Sequence, residues 1–188
     1  MNLSVRVKNI LLQPAQEWSV IEGESASLAD LYRAYIVPLA AIGPVASIVG
    51  LSMVGIGGYR IPLISSIGHA VVSYVLALGG VYVLALIIDA LAPTFQGTKN
   101  PMQAVKVAAY SSTAAWLAGI FILIPALGFL QILGLYSLYL LYLGLPKLMK
   151  APEDKALVYT VVVVIAAIVI FVVIGVVGSF FIAYPAPR

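Results

Sequence analysis

From Ala156 to Pro187 the chain carries no charged residue. A helix of about 20 apolar residues crosses the hydrocarbon core of a bilayer, so this stretch is long enough to span it. Four more stretches of that length are bounded by charged or turn residues. Together they predict five spans at about 31–57, 64–89, 102–123, 127–149 and 152–183. Composition agrees, with 63% hydrophobic and 9% charged residues where a soluble domain carries about 25% charged. The 11 prolines and 16 glycines are scattered among the apolar stretches, which excludes polar low-complexity disorder. Buried backbone in lipid must satisfy its own hydrogen bonds, so the fold class is all-α, a polytopic transmembrane helical bundle.

Missing residue types remove whole chemistries. With no cysteine there is no disulfide, thiolate nucleophile or thiolate metal site. His69 is the single histidine, too few for a His-rich zinc or haem site. No GxxxxGK, GxSxG or HExxH pattern occurs, and Gly55-Ile56-Gly57-Gly58 fails as a dinucleotide fingerprint because Arg60 replaces the last glycine. The chain reads as non-enzymatic, without cofactor or metal. The net charge of +3 is explained by orientation in the bilayer, so no nucleic acid partner is expected.

Local signals support the division. Ser27 and Asp30 have capping-box spacing at the start of the first span. Pro152, Glu153 and Asp154 place a proline and two acids at the start of the fifth. Pro125 and Gly128 mark a short turn that makes spans three and four antiparallel neighbours. Pro38 and Pro44 kink span one, and a neighbouring helix must satisfy the freed carbonyls. Residues 1–30 form a cytoplasmic segment in which Leu3, Val7, Ile10 and Leu11 share one helical face until Pro14 stops the pattern. This predicts a short interfacial helix, with Trp18 also at the interface. No apolar region follows the early basic residues, so no cleavable signal peptide is expected.

Orientation follows from the basic residues. With the N-terminus inside, eight of the ten fall on the cytoplasmic side, leaving Arg60 and Arg188 outside. All seven acids also fall inside. The expected topology is N-in, C-out, with residues 184–188 as an external tail.

Candidate functional residues lie toward the inner face. Asp89 ends span two and Lys106 begins span three, at either side of a loop short enough for them to meet; alternatively both sit at headgroup level. Gln103, Lys106, Tyr110 and Thr113 form a polar stripe on span three, either lining a solute path or bonding to neighbouring helices. Ala104, Ala108, Ser111, Ala115 and Gly119 give that span a small-residue side, which predicts it as the central helix. Gln131, Tyr136, Tyr139 and Tyr142 on span four either converge with Tyr110 and Asp89 on a cavity or form an aromatic belt. Lys147, Lys150 and Lys155 can contact anionic lipid headgroups or simply set orientation. His69 lies about 30 Å from Asp89 along the same helix, too far for a direct proton relay. Small pairs at Ala46 and Gly50, and at Gly175 and Ser179, offer faces for a homo-oligomer.

Pro14 and Trp18, Asp30-Leu31-Tyr32, Ala108-Ala109-Tyr110-Ser111, and Tyr139 through Lys150 (YLLYLGLPKLMK) followed by APEDKA occur in an order that resembles the Yip family, the Ypt/Rab-interacting five-span membrane proteins. The similarity covers nearly the whole chain. The resemblance implies the same five-span fold and membrane residence. Eukaryotic members have a long polar N-terminal region and Gly-Pro after Asp-Leu-Tyr. Here only about 30 residues precede the first span, and Arg33-Ala34 follows. The departure implies the prokaryotic branch and the cytoplasmic (inner) membrane, where Rab-type GTPase binding does not carry over. The sequence leaves two functions open: organising the bilayer or scaffolding partners at the cytoplasmic face, or passing a small solute or ion between spans two, three and four.

Overall fold

The computed structural model describes residues 2–55 and 60–179, all of whose regular elements are helical. Beyond Gly55 the end of the first predicted span, the last residues of the fifth and the tail 184–188 lie outside the described residues. Two short helices come first, α1 (Leu3–Leu12) and α2 (Pro14–Gly23). Four helical stretches long and apolar enough to cross a membrane follow: α3 (Leu28–Val54), α4 (Leu63–Phe95), α5 (Pro101–Leu123) and α6 (Pro125–Met149). The last is α7 (Glu153–Ser179), whose 27 residues rise about 40 Å.

The N-terminal segment departs from expectation. Pro14 does end the first helix, but it also opens a second as its first residue, where a missing N–H costs nothing. The two helices fold into a hairpin whose inner face is part of the core: Ile10, Trp18 and Ile21 are fully buried. Trp18 is therefore packed inside the protein, not placed at a lipid–water interface. The reason is a partner that sequence periodicity does not see. A Cβ built at Gly144 would lie 2.7 Å from the Trp18 ring, so glycine opens the slot that the indole fills.

Span one is broken where the prolines predicted. Turns of π-helix run over Tyr32–Ile36 and Gly50–Val54, with short α segments between. At the break the Ala41 N–H turns to Leu39, and the Val37 carbonyl takes the Tyr74 hydroxyl of α4 at 3.0 Å. Tyr32 returns the link by donating to the Leu78 carbonyl at 3.0 Å. The Ser27 hydroxyl caps Asp30 N–H at 3.1 Å and donates to the Asp30 carboxylate at 2.6 Å, so the acid reaches the serine side chain and not its main chain. Pro152 stands one residue before α7, with Glu153 and Asp154 in the first turn.

α5 is the central helix, with every residue from Ala104 to Ser111 buried. Single-residue Ile124 separates it from antiparallel α6. Gly119 and Gly43 bring α5 and α3 backbones together, since a Cβ on Gly119 would sit 2.9 Å from the Gly43 Cα. Ala46 and Gly50, read as a face for a second copy, are occupied within the chain: a Cβ on Gly50 would lie 2.0 Å from the Ile122 carbonyl oxygen. Large fully buried side chains gather at the end of the bundle that carries the hairpin. At the far end Gly119–Leu123 and Pro125–Leu135 are 3-10 helix and bury no residue. Outward-facing Val71, Val72, Val75, Ile132 and Ile168 are all more than half exposed, the pattern of helices meant for lipid.

Candidate functional site: the hairpin clamp

The polar stripe of α5 faces the hairpin. Gln103 Nε2 donates to the Glu22 carbonyl at 3.3 Å, and Lys106 Nζ donates to the carbonyls of Ile21 at 3.0 Å and Glu24 at 2.5 Å. These carbonyls sit at the end of α2, where the last turn lacks helical partners and carries the negative end of the dipole. A buried ammonium is well placed there. One turn deeper, Tyr110 meets Trp18 edge-on at 6.2 Å between ring centroids and Tyr35 at 4.6 Å, while the Arg6 guanidinium lies 5.7 Å from its ring centre. Thr113 donates to the Tyr110 carbonyl at 2.7 Å, so the Tyr35 hydroxyl, 2.7 Å away, donates to Thr113.

The hairpin supplies a second layer of charge. Arg6, only 5% exposed, pairs with Glu17 and Glu24, and Asn9 Nδ2 donates to Glu17 at 3.1 Å. Burial by itself lowers the guanidinium pKa, but the hydrogen bond to Glu24 and the fields of Glu24 and Glu17 outweigh it and hold the group further toward its charged form. Tyr136 of α6 donates to the Leu11 carbonyl at 3.0 Å and fixes the end of α1. At the rim Lys150 pairs with Glu22, and that hydrogen bond holds the Glu22 carboxyl below its usual range. A carboxyl depressed on folding contributes stability above its unfolded pKa and loses it as pH falls through the folded value. The pair is exposed, so Lys150→Gln is expected to cost less than about 1 kcal/mol at neutral pH and nothing once Glu22 is protonated, as denaturation midpoints across pH can measure.

The residues singled out from sequence separate into two groups. Lys106 and Tyr110 belong to the clamp. Lys106 does not reach Asp89, because the α2 carbonyls claim its ammonium. Asp89 is half-buried near Tyr159, whose hydroxyl donates to the Ile88 carbonyl at 2.5 Å, and Asp89 Oδ1 is buried without a hydrogen-bond partner among the described residues. Gln131, Tyr139 and Tyr142 are exposed on α6, so they do not converge with Tyr110 and Asp89 on a shared cavity. The 3-10 winding ahead of Tyr136 sets which face α6 buries, and that face is Leu140, Leu141, Gly144, Leu145 and Leu148. Lys147 is exposed, and Lys155 lies 3.8 Å from Asp154. His69 is exposed on α4. Among the described residues no three His, Asp or Glu side chains gather as metal ligands.

Arg6, Glu17 and Glu24 were not singled out by the sequence for this role. A signal was present: Pro14 followed by an acid at Glu17 is the pattern of a helix start, and a second helix there implies a face for Arg6 to meet.

This clamp joins regions far apart in sequence, and the similarity to known proteins covers the same range. The family model described as Yip1 domain matches residues 8–174. The chain belongs to the Yip1 domain family. The inner membrane protein YohC of Escherichia coli strain K12 is 25% identical over 163 residues, covering 82% of this chain and 84% of that protein. YohC of Escherichia coli O6:H1, strain CFT073, matches with the same identity and coverage. No solved structure matches. As a Yip1 domain protein of the prokaryotic type, the chain is an integral protein of the inner membrane, and the Pro14–Trp18 and Asp30-Leu31-Tyr32 segments that carried the resemblance flank the clamp.

Proposed function

We propose that this Yip1 domain protein is a non-enzymatic organiser of the cytoplasmic membrane face, spanning the bilayer five times with its N-terminus inside and its C-terminus outside, and presenting the hairpin as a fixed platform for partners. The observation that carries this reading is the use of the α5 polar stripe: the Gln103 Nε2, the Lys106 ammonium, the Tyr110 ring and the Thr113 hydroxyl hold α2 and α3, leaving only the Gln103 Oε1 of these side chains buried without a partner among the described residues. A solute path needs such groups turned toward water. A platform needs them turned inward. Exposed Lys8, Gln16 and Ser19 on the outer side of the hairpin are the surface it offers, and Lys147 and Lys150 at its edge add contacts for anionic headgroups.

Photo-crosslinkers at Lys8, Gln16 and Ser19 in intact cells are expected to give discrete adducts, and reporters at the two chain ends are expected on opposite sides of the membrane. Reporters on the same side overturn the topology. The observation that favours transport instead is the unpartnered Asp89 oxygen. Solute flux in proteoliposomes that falls on Asp89→Asn replaces the platform reading with transport; absence of flux, with adducts at the hairpin, supports the platform.

A further inference from the structure

A cavity of about 210 Å³ lies between α3, α4 and α5, toward the end of the bundle away from the hairpin. Its surroundings are read from α4. His69 and Ser73 line it from that helix, about 9 and 15 Å along the rod from Leu63. Around them Ile64, Val71, Val72, Val75 and Leu76 are all more than half exposed, so this length of α4 faces hydrocarbon on its outer side. No Asp, Glu, Lys or Arg lines the cavity. An ion or a charged head group entering it would meet no opposite charge, and a charge at that depth is costly without one.

Three lining side chains there keep polar groups unspent. His69, Ser73 and Trp116 of α5 have no hydrogen-bond partner among the described residues. Nearby hydroxyls show the ordinary outcome: Ser47, on the α3 wall, donates to the Pro44 carbonyl at 2.7 Å, and Ser52 donates to Ser66 at 2.7 Å. A hydroxyl, an imidazole and an indole N–H, carried by two helices and surrounded by lipid, ask for a neutral molecule with acceptor oxygens, because hydrocarbon offers them none. The rest of the lining suits something flat. Gly43 and Gly119 bring the α3 and α5 main chains together with no side chain between them, and Trp116 adds an aromatic surface. The volume is below the roughly 300–1,000 Å³ of drug-sized sites, so it takes a head of one or two rings and leaves a long substituent in the lipid.

We infer that this cavity binds the head of a lipid-soluble quinone, a planar ring with carbonyl oxygens on opposite edges and a prenyl tail. One carbonyl accepts from His69 and Ser73, which lie one turn apart on α4, and the other accepts from Trp116. The ring lies along the Gly43–Gly119 wall, and the tail leaves among the exposed apolar side chains of α4. A phospholipid ester has carbonyls but no ring, and its head group ties it to the surface. The cavity shares no lining residue with the hairpin clamp, so the inference and the platform reading can fail separately.

The test is photolabelling of the full chain in phosphatidylcholine liposomes with a short-tailed azidoquinone. Saturable labelling is expected, with adducts in residues 69–77 and 115–122, displaced by an excess of the unlabelled quinone and not by a straight-chain ketone of equal length. The bilayer itself supplies ester carbonyls in large excess, so saturation against that background excludes lipid as the favoured occupant. The His69→Leu, Ser73→Val double variant is expected to lose at least about fivefold in affinity, the worth of about one neutral hydrogen bond. Ala77→Leu, which fills the cavity and keeps all three polar side chains, is expected to lose as much, with unchanged denaturation midpoints verifying that both variants remain folded. Labelling that rises linearly with probe and spreads over the outward faces, displacement by the ketone as effective as by the quinone, or unchanged affinity in the double variant each overturns the inference.

Discussion

Arg6→Ala is expected to detach the hairpin and cost about 3–5 kcal/mol, because removing one partner of a buried ion pair strands the other. Glu17 is 7% exposed, and without the guanidinium its charge keeps Asn9 as its remaining side-chain hydrogen-bond donor among the described residues. Glu24 is also released, and with it the strand of main chain whose carbonyl Lys106 holds. The Arg6 stem and its contact over the Tyr110 ring are lost as well. Detergent-solubilised protein should show a lower denaturation midpoint and new proteolytic cleavage between residues 13 and 27. The double variant Arg6→Met, Glu17→Gln removes both charges and is expected to recover most of the loss, since exchanging a buried pair for apolar or neutral groups is often neutral. A single-variant cost under 1 kcal/mol would mean that the ion triad does not hold the hairpin.

Gly144→Ala is the second large effect. The added methyl would sit 2.7 to 3.0 Å from three atoms of a fully buried indole, and Trp18 has Tyr110 on its other side. Overpacking of this kind costs about 1–3 kcal/mol when the neighbour cannot give way. In a Trp116→Phe background Trp18 is the single tryptophan, so its emission should shift to the red as the ring leaves its slot. Trp18→Phe, with a smaller ring, is expected to restore part of the stability of Gly144→Ala. An unshifted spectrum with unchanged stability would show that the slot has room to spare.

These two expectations also show where sequence reading reaches its limit. The apolar stretches were legible because bilayer thickness imposes a length, and the breaks at Pro38 and Pro44 were legible because proline lacks an N–H. The central position of α5 followed from its small residues. The hairpin was half legible: the face of α1 was found, but the burial of Trp18 depends on Gly144, 126 residues later, and no local period records that. The α5 stripe was correctly placed on one face, yet whether Lys106 turns to Asp89 or to the end of α2 is decided by a helix that the sequence reading did not include. Tyr139 and Tyr142 look equivalent to Tyr136 in sequence; packing alone turns Tyr136 toward α1 and leaves the other two outward.

The winding of the far end bears on how the molecule meets bilayers of different thickness. A 3-10 helix rises about 2.0 Å per residue against 1.5 Å for an α-helix, so rewinding the 11 residues of Pro125–Leu135 shortens that rod by about 5 Å. No residue in that stretch is fully buried, and the main packing the change must carry with it is the seat of Gly134 on α5, where a Cβ would lie 3.2 Å from the Ala115 Cα. The opposite end, gripped by charges and rings, cannot follow. Thinning or thickening of the host membrane is therefore absorbed on one side only, as by a telescoping leg, while the gripped end keeps its shape.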